Sequence, residues 1–134
     1  MDRTPYGFLL VAVGGFLGAV ARHAVDGAVT AAVAAIALGG GLTLFGTPPT
    51  GLGTLVANVA GSFALGLLLS RAPSARTRLL VGTGALSSFT TYSTFVADAV
   101  ALGTPAGAWY VGVSYATGFA AAALGLAAGG GWRR

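Results

Sequence analysis

The chain has 134 residues, of which 55% are hydrophobic and 7% charged, and its formal net charge is +4. Soluble domains carry about 25% charged residues, so this composition excludes an ordinary soluble domain and indicates an integral membrane protein. The absence of cysteine excludes disulfide bonds and thiolate metal sites. The positive charge does not indicate a nucleic-acid partner, because all seven basic residues are arginines scattered at the ends of apolar runs.

Four apolar stretches are long enough to cross a bilayer, which takes about 20 helical residues. They run over residues 6–24, 52–70, 79–102 and 106–129, separated by charged or proline-containing segments. We therefore predict an all-α membrane protein with four transmembrane helices, forming one domain over residues 1–134. We expect no cleaved signal peptide, since the sequence after the first stretch is equally apolar.

Residues 28–45 are also apolar enough to span, but three consecutive glycines at 39–41 disfavour a straight helix. With four spans, Arg3, the arginines between residues 71 and 78, Arg133 and Arg134 all fall on one side. The positive-inside rule therefore predicts four spans in the cell membrane with both termini in the cytoplasm. Residues 28–45 then extend the first helix, re-enter the membrane or lie on its surface.

Small residues recur four apart, the spacing that lets membrane helices approach closely. The pairs are Gly14 with Gly18, Ala57 with Gly61 and Ser114 with Gly118. They predict helix packing and say little about function.

Asn58 lies in the middle of the second stretch, where polar groups are rare and often functional. Its amide offers two N–H donors and one carbonyl acceptor. An anion that gives up water in a pore needs uncharged donors of this kind, because a fixed positive charge holds it too tightly for conduction. The alternative is a hydrogen bond between helices.

The third stretch is rich in hydroxyl groups, which seven of the twelve residues from Gly84 to Phe95 carry. This composition predicts a helix break at membrane depth, where freed carbonyls can coordinate a small cation. Tyr92 and Phe95 share a helix face, and the positive edges of their rings can favour an anion. Ordinary packing is the alternative, and spacing alone favours it.

Three ionisable residues lie near the ends of apolar stretches. Arg22 either attracts anions into a vestibule or anchors the first helix at the headgroups. Asp98 lies one turn after Phe95, at a pore mouth or beside an arginine, and His23 is expected at the interface. The sequence has no HExxH or Walker motif and only one histidine, so we predict that the protein is not an enzyme.

Three sequence blocks resemble the small fluoride channels called Fluc or CrcB. Gly14 to Arg22 is similar to the pattern GGxxGAxxR, and Gly53 to Gly66 matches GTLxxNxxGSFxxG at every fixed position. Gly84 to Phe95 is similar to GFxGGxTTFSTF. The blocks occur in the family's order, and Ser114 and Gly118 fit its fourth helix.

The resemblance implies an antiparallel dimer with two narrow pores near the interface, which export fluoride passively from the cytoplasm. The residues that match the family's pore-lining and polar-track positions are Asn58, Tyr92, Phe95, Ser93, Thr94 and Ser114. The backbone carbonyls of Ser87 and Thr90 match those that hold a structural sodium ion at the dimer centre.

The sequence departs from the family pattern at four positions. Tyr92 replaces a phenylalanine and adds a hydroxyl that can donate to the ion or narrow its path. Ser87 and Ser88 replace two glycines, so the sodium site requires backbone dihedral angles that a residue with a Cβ can adopt. Ala85 replaces an aromatic residue without an obvious consequence.

The arginine distribution bears on how such a dimer assembles. Six arginines fall on one side of the predicted topology and only Arg22 near the other, a bias that fixes one orientation. An antiparallel dimer of one sequence needs both orientations. We therefore hypothesise a heterodimer with an oppositely oriented paralogue, with the homodimer as the alternative.

Two other functions stay open at this point. A small proton-coupled exporter needs a titratable carboxylate deep in a helix, and Asp98 is the one intramembrane candidate. In a non-transporting scaffold, the hydroxyls of the third stretch only hydrogen-bond between helices.

Overall fold

The computed structural model describes residues 5–39, 51–71 and 73–130, and every regular element within these ranges is helical. Helix α1 spans Pro5–Gly39 and α2 spans Leu52–Ser70. A third helical stretch begins with the short α3, Ala75–Thr77, continues as a π-helical segment, Arg78–Leu86, and ends with the short α4, Ser87–Phe89. After a break, α5 spans Ser93–Leu102 and α6 spans Ala106–Ala128.

Helices α1, α2 and α6 are long and apolar enough to cross a membrane. The prediction of an all-helical membrane protein is confirmed at this level. Helix α2 has the same bounds as the second predicted stretch, and α6 begins where the fourth does. No single helix covers the third predicted stretch, so its crossing of the bilayer stays a prediction.

Helix α1 continues well beyond the first predicted stretch. Its 35 residues extend about 52 Å at 1.5 Å per residue, whereas the hydrocarbon core is about 30 Å thick. Of the three alternatives for residues 28–45, the described part extends the first helix as far as Gly39. Residues 40–45 lie outside the described ranges, as do Arg3, Arg133 and Arg134 from the topology argument.

Glycines bring the helices into backbone contact, mainly α1 with the π-helical segment and α2 with α6. A Cβ at Gly14 or Gly18 would collide with the carbonyl oxygen of Leu80 or Ala85. Helices in lipid gain no hydrophobic free energy by associating, so this close packing has to hold them together. The helix contact predicted at Gly14 and Gly18 is therefore confirmed.

Large apolar side chains point away from the bundle. Phe8 and Phe16 are each 69% exposed, while Ala57 and Ala121 are buried. A soluble fold would bury its phenylalanines. This distribution fits helices that face lipid outside and meet through small residues inside.

Candidate functional site

The third helical stretch ends at Phe89, and the chain changes direction before α5 begins at Ser93. Thr90 is extended, with φ of −81° and ψ of 157°. Its Oγ1 donates to the Leu86 carbonyl at 2.9 Å, which holds the side chain against the preceding turn. Threonine suits this position because β-branched residues favour extended backbone and their hydroxyls can bond to the previous turn.

The side-chain amide of Asn58, on α2, binds the backbone at this break. Its Nδ2 donates to the Thr91 carbonyl at 3.0 Å, and the Thr91 N–H donates to Oδ1 at 2.8 Å. The hydrogen bond between chain segments, one of the two alternatives for Asn58, is therefore present. The amide has a second N–H, and Asn58 also lines the cavity described below, so the two alternatives are compatible.

Thr91 organises the hydroxyl groups at the start of α5. Its Oγ1 accepts from the Thr94 N–H at 3.3 Å, donates to Thr94 Oγ1 at 3.1 Å and lies 3.4 Å from Ser93 Oγ. Sequence reasoning did not single out Thr91 as a site residue. A signal was present, because a threonine three residues before Thr94 has the spacing of a helix N-cap.

An aromatic cluster surrounds Phe95, which is buried. Its ring centroid lies 5.8 Å from Tyr92, 5.5 Å from Tyr110 and 5.8 Å from Tyr115, the last pair edge to face at 80°. Phe95 is thus packed by three rings, which agrees with the alternative of ordinary packing. It also lines the cavity, so a role in an ion path stays a prediction. The only signal for Tyr110 and Tyr115 in the sequence is a weak one, because they are two tyrosines in a stretch of mostly small and aliphatic residues.

A cavity of about 740 Å³ lies between α2, the third helical stretch, α5 and α6. It brings together most of the residues that the sequence singles out. The predicted site residues on its wall are Asn58, Tyr92, Phe95, Ser114, Ser87 and Thr90. Ser93, Thr94 and Arg22 do not line it, although Ser93 and Thr94 are linked to it through Thr91.

Arg78 is the arginine on the cavity wall. Arg22, the predicted vestibule residue, lies on α1 and is half-buried outside this cavity. A role of Arg22 in a vestibule stays a prediction.

Two buried polar atoms have no hydrogen bond of good geometry within the described part of the chain. They are Ser114 Oγ, on the cavity wall, and Asp98 Oδ2, on α5. Buried polar groups are normally satisfied. The Ser114 hydroxyl has a weak contact with Tyr110, and a ligand that enters the cavity beside Ser114 can take over that contact.

Comparison with known proteins agrees with the three sequence blocks. A family model described as CrcB-like protein, Camphor Resistance (CrcB), matches residues 9–126. The protein named fluoride-specific ion channel FluC 1 of Natronomonas pharaonis is 43% identical over 122 residues, covering 87% of this chain and 88% of that protein.

A second relative, named fluoride-specific ion channel FluC 2 of Halobacterium salinarum, is 41% identical over 124 residues, covering 88% of this chain and 82% of that protein. Both names describe ion channels rather than enzymes. The family match takes in most of α1, the break with its Asn58 partner, and most of α6. The resemblance seen in the sequence is thereby confirmed, and the chain belongs to the CrcB-like family.

Proposed function

We propose that this protein is a subunit of a fluoride-selective channel in the cell membrane, which lowers cytoplasmic fluoride by passive export. The relatives named as fluoride-specific ion channels support this assignment. The main structural support for this assignment is the cavity, whose wall includes Asn58, Phe95 and Ser114.

The donors on this wall suit a small, strongly hydrated anion. Asn58 has one N–H beyond its bond to Thr91, and the Ser114 hydroxyl has only a weak contact with Tyr110 in the described ranges. Both can replace water without placing a fixed charge on the ion path. The edge of the Phe95 ring adds a weak positive potential, and Arg78 raises the local anion concentration.

A second subunit completes the ion path in this proposal. On the single chain, Tyr92 and Phe119 line the cavity and are 71% and 73% exposed, so one side of the path has no wall. An antiparallel partner would close it and create two pores near the interface. The arrangement uses four spans per subunit, with the interruption in the third and both termini in the cytoplasm.

The partner is either a second copy or an oppositely oriented paralogue. The arginine bias favours a paralogue, because a chain with one fixed orientation cannot pair antiparallel with itself. Halobacterium salinarum and Haloarcula marismortui each have relatives named FluC 1 and FluC 2, which is consistent with paired genes.

A sodium ion held by the backbone carbonyls of Ser87 and Thr90 at the dimer centre is part of the proposal, and the residues fit it. Ser87 has φ of −66° and ψ of −30°, which any L-residue adopts, so serine in place of glycine is no obstacle. Among the described residues no three His, Cys, Asp or Glu side chains form a metal site, but a carbonyl site needs none. The ion would supply a positive charge that both subunits share.

Fluoride efflux from liposomes containing the purified protein tests the assignment. Asn58→Ala and Phe95→Ala remove cavity groups, and Thr117→Ala is the matched control, because its hydroxyl is exposed and bonded to the Val113 carbonyl at 2.7 Å. We expect passive, fluoride-selective flux that falls in the first two variants and persists in the control.

No flux from the protein alone, with flux restored by an oppositely biased paralogue, would identify a heterodimer. No flux in either case would refute the channel assignment and favour a scaffold.

A further inference from the structure

Two backbone carbonyls at the break lose the N–H donors that an uninterrupted helix would give them. In an α-helix each carbonyl accepts from the N–H four residues later, so Ser87 would bond to Thr91 and Thr90 to Thr94. The Thr91 N–H instead donates to Asn58 Oδ1 at 2.8 Å, and the Thr94 N–H donates to Thr91 Oγ1 at 3.3 Å. The two carbonyls concerned are those of the expected cation site.

Asn58 accepts the hydrogen bond from the Thr91 N–H and also holds Thr91, whose hydroxyl accepts the hydrogen bond from the Thr94 N–H. Its amide binds both backbone polar groups of Thr91, so that residue is held on both sides. With the backbone of Thr91 fixed, its hydroxyl lies where it caps α5 at Thr94. Thr90 has its own anchor, since its N–H and its hydroxyl both bond to the Leu86 carbonyl. What Asn58 controls is therefore the chain from Thr91 onward.

We propose that Asn58 is a positioning residue for a small cation: by binding both backbone groups of Thr91 it keeps the break open and leaves the carbonyls of Ser87 and Thr90 free. This inference rests on the proposed function in taking the carbonyls of Ser87 and Thr90 as the site and sodium as the cation. Because Asn58 also lines the cavity, one amide joins the cation site to the anion path. Loss of Asn58 lets the Thr91 N–H return to the Ser87 carbonyl, which removes an acceptor from the cation.

The test measures sodium binding without measuring flux. Thermal unfolding of the purified protein in detergent is followed in sodium chloride and in N-methylglucamine chloride at equal ionic strength, with the paralogue added if the efflux assay requires one. A ligand at concentration c that binds the folded state stabilises it by RT ln(1 + c/Kd), so the unfolding temperature begins to rise when the ligand concentration exceeds Kd. The apparent sodium dissociation constant fitted to this rise is then compared between variants.

We expect a sodium-specific rise in the original protein and, in Asn58→Ala, an apparent sodium dissociation constant about tenfold higher or more, as loss of one or two net hydrogen bonds implies. Thr91→Ala, which removes the acceptor for the Thr94 N–H, should shift it in the same direction. Thr91→Ser keeps that acceptor, and Thr117→Ala removes an exposed hydroxyl that bonds within α6. Both should respond like the original protein.

An original protein without a sodium-specific rise would overturn the proposal, as would an unchanged sodium response in Asn58→Ala. If Asn58→Ala does not fold, the comparison of Thr91→Ala with Thr91→Ser decides, and equal responses of these two would overturn it. The proposed function would be refuted by a different result. Absent fluoride flux together with a sodium response that depends on Asn58 would refute the channel assignment and support the positioning role of Asn58.

Discussion

Replacing the Ser114 hydroxyl tests whether this group contributes to the stability of the fold or to ion permeation. In the described ranges Ser114 Oγ is buried with no hydrogen bond of good geometry and only a weak contact with Tyr110, and Ser114 lines the cavity. A buried, unsatisfied hydroxyl destabilises the fold by about 1–3 kcal/mol. The contact with Tyr110 reduces this penalty. We expect Ser114→Ala to raise the free energy of unfolding by about 1 kcal/mol, the low end of that range.

The same substitution should reduce fluoride flux. A hydrogen bond to a charged group contributes about 1.5–3 kcal/mol, and 1.4 kcal/mol corresponds to a factor of ten. If the Ser114 hydroxyl donates to fluoride at the limiting barrier, Ser114→Ala lowers the efflux rate by about tenfold to a hundredfold. The protein therefore becomes more stable and less conductive at once.

The assay combines the initial rate of liposome efflux with the temperature of unfolding in detergent, and uses Thr117→Ala as the control. The Thr117 hydroxyl is already bonded within α6, so its loss should leave flux unchanged. Flux in Ser114→Ala equal to that of the original protein would refute the reasoning about the ion path. A fall in both stability and flux would show that the hydroxyl has a structural partner after all.

Three further outcomes are expected. Gly18→Ala should destabilise the protein by about 1–3 kcal/mol through overpacking against Ala85. Gly27→Ala, which has no atom near the added methyl group, should stabilise it by about 0.5–1 kcal/mol. Thermal unfolding compares the two variants, and equal shifts of the unfolding temperature would contradict the packing argument. Asp98→Asn should largely keep fluoride efflux, while its complete loss, with efflux of the original protein driven by a proton gradient, would indicate an exporter. A C-terminal tag should be accessible from the cytoplasmic side alone, and equal accessibility from both sides would remove the argument for a heterodimer.

Parts of the fold could be predicted because their causes are local. Helix α2 is an apolar run that follows two prolines and ends before Arg71, and its bounds follow from that pattern. The hydroxyl-rich segment could be recognised as unsuited to a plain helix, and the backbone does leave the helical conformation at Thr90. Asn58 stood out because an amide is costly in lipid.

Other features depend on contacts that a sequence does not display. The alanine-rich residues after 27 have high helix propensity, which outweighs the warning from the nearby glycines, so α1 reaches Gly39. The π-helical segment has no local signature; its Gly84 packs against the backbone of Val11 on α1. Tyr110 and Tyr115 join the site only because α6 packs beside α5.

The pairing of Asn58 with Thr91 also constrains how the chain can enter a membrane. A backbone N–H and C=O exposed to hydrocarbon without partners cost several kcal/mol, so the interrupted third stretch cannot reside stably in lipid by itself. The partner that satisfies Thr91 lies on α2, which leaves the ribosome before the third stretch. Biosynthesis in chain order therefore delivers the asparagine before the segment that depends on it, and residues 73–102 expressed without α2 would leave the backbone of Thr91 without that partner.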